Sequence, residues 1–95
     1  MKKDYQKSIM TDDLEHCYLC GSDRAIQYHH VFGASNRRKA TEDGLFVPLC
    51  MDCHIKVHTE HSNRLNYALK QRGQDAYEQI CGSGSFLKRY GKSYL

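Results

Sequence analysis

The chain has 95 residues, enough for a single domain spanning 1–95 but near the size at which an apolar core alone gives only marginal stability. Its N-terminal "MKKDYQKSIM" has charge but no apolar stretch long enough for a signal peptide or a membrane span, which argues against an exported, disulfide-stapled protein and against a membrane partner, and points to the cytoplasm. Five cysteines and six histidines make a metal the first candidate for the missing stability, and a net charge of +3 admits nucleic acid without demanding it.

Residues 1–14 are polar and unpatterned, as in a loose arm. "CYLCG" (17–21) reads as a knuckle, a tight turn in which two thiolates and nearby backbone N–H groups face one point, with Gly21 supplying the backbone freedom. "AIQYHHVF" (25–32) has the β-branched and aromatic content of a strand. "LFVPL" (45–49) resembles a second strand, which Pro48 restricts to an edge or end. Between them, "GASNRRKATEDG" reads as a loop of small and charged residues. After Cys50 the pattern turns helical, with Met51, Ile55 and His58 on one face and Val57 beside it.

From "HSNRLNYALKQRG" (61–73) the chain predicts a helix N-capped by Ser62, striped by Leu65 and Leu69 and ended by Gly73. "DAYEQI" (75–80) predicts another short helix, and "GSGSFLKRYG" a flexible joint, a Ser85 cap, one or two helical turns and a stop at Gly91. Residues 62–95 thus form a helical C-terminal extension, and the whole is an α+β domain.

Cys17-x2-Cys20 and Cys50-x2-Cys53 repeat the spacing at which two thiolates grip half of a tetrahedral zinc, and the pairs lie thirty positions apart. Four thiolates close the coordination shell, so such a zinc is structural. Cys81 falls outside the pattern and reads as a small core residue or an ordinary thiol.

"CHIKVH" (53–58) puts His54 and His58 four apart, on one helical face, where both can hold a single ion. Cys53, about 100° around the axis from His54, can meanwhile face the other metal. The weaker alternative is that one of these histidines replaces a cysteine on the zinc. Strand alternation sends His29 and His30 to opposite faces, so one can bind an ion while its neighbour does something else.

In this order, a strand-borne His-His pair, a second strand and an H-x3-H helix next to a zinc knuckle, the chain resembles the HNH endonucleases, and the C-x2-C … HH … LC-x2-CH pattern resembles their zinc-containing branch. The motifs "CYLCG", "HHVFGASNR", "VPLC" and "FLKRYGKSYL" are more closely similar to the Ref-like family of RecA-dependent nucleases from phages and prophages. The resemblance implies a ββα-metal (His-Me finger) core in which His29, His54 and His58 hold one catalytic divalent ion (Mg²⁺, Mn²⁺, Ni²⁺ or Zn²⁺) and His30 is the general base. It further implies hydrolysis of DNA phosphodiesters to 5′-phosphate and 3′-hydroxyl ends, a bacterial or phage-infected cytoplasm, and a RecA filament as a partner. Zinc-containing HNH proteins carry an asparagine where this chain has Leu45, and Asn36 is the candidate to brace the base instead. Arg37, Arg38 and Lys39 are the expected phosphate contacts.

Two other functions fit part of the pattern. A zinc-stabilised nucleic-acid-binding module needs only the cysteines and the basic run, and a protein-interaction adaptor leaves the histidines unexplained.

Overall fold

The computed structural model describes residues 7–59 and 62–95. Strand β1 (Gln27–His30) is followed by a 3-10 turn at Ala34–Asn36, helix α1 (Arg37–Asp43) and strand β2 (Phe46–Leu49). Helices α2 (Met51–His58), α3 (Ser62–Cys81) and α4 (Ser85–Tyr90) complete the described chain, which is α+β as the sequence predicts. Among the described residues no helix is long and apolar enough to cross a membrane.

β1 and β2 pair antiparallel, with Gln27 opposite Leu49, Tyr28 opposite Pro48, His29 opposite Val47 and His30 opposite Phe46. The Pro48 carbonyl points away from β1 and accepts the Tyr18 N–H at 2.7 Å. The missing proline N–H therefore faces the same outer side and leaves no ladder bond unmade. A lone two-stranded ribbon is marginal in water. Here it is covered: every residue of β2 is buried, and Leu45, Phe46, Val47 and Leu49 have no exposed area at all.

Part of that cover comes from the segment expected to be a loose arm. Ser8 Oγ donates to the Phe46 carbonyl at 2.6 Å and the Ile9 N–H to the Gly44 carbonyl at 2.9 Å, while Ile9 and Met10 pack against the core. Residues 7–10 are thus tied to the hairpin; residues 1–6 of the expected arm lie outside the described residues.

The predicted loop between the strands is instead the helix α1. Only Ala40 in it is buried, so its two turns carry no apolar period to read. Gly44 closes it at φ 76°, with its N–H directed at the Ala40 and Thr41 carbonyls. On α2 the buried stripe is Cys53 and Val57, whereas Met51 and Ile55 are exposed.

Gly73 does not end a helix. α3 runs through it for 20 residues, absorbing the short helix expected at 75–80. A Cβ at Gly73 would lie 3.1 Å from Phe32 Cε2 and 3.5 Å from Leu45 Cδ2, so the glycine is there for close packing rather than for a stop. The cap expected of Ser62 lies outside the described side chains. Ser85 is not the cap of α4 either; Gly84 takes that position at φ 83°, and Ser85 Oγ donates back to the Gly82 carbonyl.

α4 packs an aromatic cluster under the hairpin. Phe86 and Tyr90 stack with centroids 4.4 Å apart, and Phe32 meets Phe86 at 5.0 Å and Tyr90 at 5.3 Å. Arg89 Nε and the Tyr90 hydroxyl both donate to Asp43 Oδ2 at 2.6 Å, joining α4 to α1. Beyond α4, Tyr94 is strapped to α3: its N–H donates to Gln74 Oε1 at 2.6 Å and its carbonyl accepts from Gln71 Nε2 at 2.9 Å.

Candidate functional site

The four paired cysteines converge. Their sulfurs lie within 4.8 Å of one another, with the Cys20 and Cys50 sulfurs 3.6 Å apart, and could form a zinc site. The first pair is shaped by a turn in which the Gly21 N–H donates to the Cys17 carbonyl and the Cys17 N–H to the Ser22 carbonyl. The second pair opens α2, where Cys50 is the N-cap and its sulfur accepts the Cys53 N–H. Cys17 Sγ accepts the Cys20 N–H in the same way.

The thiols do not titrate alike. Burial acts to raise Cys17, but N–H groups of Cys50, Cys20 and Leu19 outweigh it and bring the thiol down to about 6. Burial and the three neighbouring sulfurs push Cys53 up. One thiolate therefore forms readily and opposes the next, a conflict that a dication among the four removes. Cys81 stands apart, exposed at the end of α3.

A second cluster lies on the other side of α2. Nitrogens of His29, His54 and His58 also lie within 4.8 Å of one another, with ring centroids 4.8–5.3 Å apart. Because α2 turns by about 100° per residue, Cys53 faces the sulfurs and His54 the imidazoles. His29 is 5% exposed, and its Nε2 is buried without a hydrogen-bond partner. A buried imidazole nitrogen without a partner is costly unless a ligand fills the place, which is the donor a metal requires. His54 Nδ1 is 2.6 Å from Gln27 Oε1, an oxygen that only accepts; Nδ1 therefore carries the proton and Nε2 the lone pair.

Burial, and after it the charges of His54, His58, Lys70 and His30, hold His29 down to about 3. Burial and then His58 lower His54 as well. Both rings are neutral at neutral pH, the state a metal ligand needs.

His30 leaves the opposite face of β1, as alternation predicts. Its Nε2 lies 2.8 Å from Thr41 Oγ1, and that hydroxyl is 3.1 Å from the Arg37 carbonyl, to which it donates. With the single hydroxyl proton so placed, Nε2–H is the donor to Thr41 and the imidazole lone pair sits on Nδ1. Burial first, then the Arg37 charge, lower its pKa and keep the ring neutral. Thr41 thus orients the His30 ring. Asn36 sits at the end of the 3-10 turn, with its backbone N–H on the Gly33 carbonyl.

Two of the clefts beside the imidazoles are lined by both His29 and His30. One, of about 290 Å³, is lined by Tyr28, His30 and Arg37 together with the three clustered histidines. The other, of about 330 Å³, extends past His29, His30 and His58 to Asn36, Asn66, Lys70 and Tyr94. Among the described residues no carboxylate lines either one. Of the basic residues expected to meet phosphate, Arg37 borders the cleft and Arg38 is exposed on α1. Lys39 is turned away, donating to the Arg89 carbonyl at 2.9 Å.

Gln27, Thr41, Asn66 and Lys70 were not singled out from the sequence. Gln27 had a signal, since it stands two positions before His29 and so on the same face of β1. The others depend on where α1 and α3 pack. No protein-family model, curated protein or solved structure matches the chain.

Proposed function

We propose that the protein is a metal-dependent DNA endonuclease of the ββα-metal type, in which β1, β2 and α2 hold a catalytic ion and the four-cysteine zinc is purely structural. The observation that supports it most is the placement of four histidines: three imidazoles share one point, a fourth stands beside them with its tautomer set by Thr41, and no acid among the described residues lines the two clefts. A binding module or an adaptor has no use for that arrangement. A polyanion, by contrast, meets Arg37 and Lys70 along these clefts and no like charge among the described residues.

In this reading His29, His54 and His58 hold the ion, and Gln27 fixes the ring of His54. A divalent ion bound there supplies Lewis-acid stabilisation of the charge that grows on the phosphate and on the leaving 3′ oxygen. An all-imidazole donor set favours Zn²⁺, Ni²⁺, Co²⁺ or Mn²⁺ over Mg²⁺. His30 Nδ1 takes the proton of the water that attacks phosphorus, and Thr41 keeps that nitrogen basic and aimed. Arg37, at the edge of the same cleft, positions the backbone by a phosphate contact. The products are 5′-phosphate and 3′-hydroxyl ends.

The test is cleavage of supercoiled and single-stranded DNA, naked and coated with RecA, in Mg²⁺, Mn²⁺ and Ni²⁺. Wild type is compared with His30→Ala after zinc content has been matched. Loss of a general base lowers the rate by about 100-fold or more while nickel binding persists. Equal rates for the two proteins, or binding of DNA without cleavage under every metal, would overturn the proposal, and the second result would leave a zinc-stabilised binding module.

A further inference from the structure

The larger cleft does not stop at the histidines. It continues to α3, where Asn66 and Lys70 stand four positions apart and so one above the other on the helix. Lys70 is an odd cation to find there. Its Nζ donates to the Val31 carbonyl at 2.8 Å and lies 5.4 Å from the centroid of Phe32 and 5.9 Å from that of Tyr94. Among the described residues it has no carboxylate partner. The charge that acts on it is of like sign: Lys92 lies over the same Tyr94 ring.

A structural tie to the Val31 carbonyl needs one neutral donor. An ammonium brings two more donors and a charge, and half-burial without a counterion makes that charge costly. Asn66 repeats the pattern independently. Its Oδ1 is buried and has no hydrogen-bond partner. Half a turn of the amide places NH₂ at the same point, so this side chain too is complete only when something polar arrives.

We propose that Lys70 and Asn66 form a phosphate-binding subsite that holds a backbone phosphate of the DNA strand on the α3 side of the histidine cluster. The assignment rests on the nuclease reading for the identity of its ligand, but on the cleft alone for its preference for an anion. It gives α3, which stands outside the hairpin and α2, a direct part in substrate binding. It also runs the strand across both clefts, from Arg37 at one edge, over the histidines, to Lys70 at the other.

The experiment is calorimetric titration of the full-length protein, carrying zinc and nickel, with a short oligothymidylate over a range of salt concentrations. Wild type is compared with Lys70→Gln, which keeps a donor for Val31 but no charge, with Lys70→Arg, and with Asn66→Ala. Metal content and melting temperature are checked for each. Lys70→Gln is expected to weaken binding about tenfold and to make the salt dependence shallower by about 0.7 in log–log slope. Lys70→Arg should keep the slope, and Asn66→Ala should weaken binding with the slope unchanged. A role confined to packing would lower the melting temperature of Lys70→Gln and leave the slope alone. Wild-type affinity and slope in Lys70→Gln overturn the subsite, as does a wild type that binds no oligothymidylate. The two proposals fail separately: Lys70-dependent binding without cleavage keeps the subsite and removes the nuclease, and cleavage indifferent to Lys70 does the reverse.

Discussion

Thr41 has one proton to give, and its placement decides which nitrogen of His30 is basic. Thr41→Val keeps the shape and removes the bond, so the ring loses both its orientation and its tautomer bias. On the proposed nuclease reading, cleavage is expected to slow about tenfold or more while nickel affinity stays at the wild-type value, which steady-state rates and metal titration together would read. Gln27→Leu should do the opposite: it frees His54 Nδ1 and weakens metal affinity by about 10- to 100-fold, and saturating nickel should restore the rate. His29 carries a pH dependence. Its folded pKa, about 3, lies below the ordinary 6.5, so the unfolded chain binds the extra proton between these values. With no metal at the histidines, stability should be flat above 6.5 and fall as the pH drops toward 3. The urea midpoint of wild type should therefore fall relative to that of His29→Leu as the pH drops below 6.5, and parallel lines would show that His29 does not titrate this way. At this scale the sequence was largely legible. The spacing of the cysteines identifies the first cluster and that of His54 and His58 two members of the second, whereas the choice of His29 over His30 as the third comes from the resemblance to HNH endonucleases. Thr41 and Lys70 were hidden, because their partners lie 11 and 39 positions away and nothing local announces them.

Helices were read less well than strands, and two glycines show why. Gly73 reads as a stop in the sequence, yet it is a contact: the Phe32 ring that touches it is itself held by Phe86, Tyr90 and Tyr94 and has little room to move. Gly73→Ala gains about 1 kcal/mol of helix propensity and loses a similar amount to overpacking, so its melting temperature should change little. Gly73→Val adds two methyl groups in the same place and forfeits the propensity gain, and should destabilise by about 1–3 kcal/mol. Gly44 differs, since it combines φ 76° with backbone atoms of Lys7 and Ile9 only 3.1 Å from where a Cβ would be. Gly44→Ala should strain the turn and dislodge residues 7–10 together, seen as faster amide exchange at Ile9, whose N–H bonds the Gly44 carbonyl. The sequence marks both positions as punctuation. Only packing separates a helix end from a close approach, and α1 was missed for the complementary reason that it buries a single residue.

On the scale of the whole molecule, the chain compensates for its small size in two places. One is the aromatic cluster of Phe32, Phe86, Tyr90 and Tyr94, and the other is the group of four cysteines that could form a zinc site. Cys50→Ser should lower the melting temperature sharply and reduce the zinc content, whereas Cys81→Ser, on an exposed thiol outside both clusters, should leave them unchanged. α2 stands between the two sites, with Cys53 and His54 as adjacent residues of one rigid turn. An ion on the sulfurs therefore removes freedom that an ion on the imidazoles would otherwise have to remove. Linkage makes such an advantage mutual: whatever factor zinc adds to the affinity of the histidines for nickel, nickel must add to the affinity of the cysteines for zinc. A chain starved of zinc should thus hold nickel at the histidines more weakly, without any change to the residues that bind it.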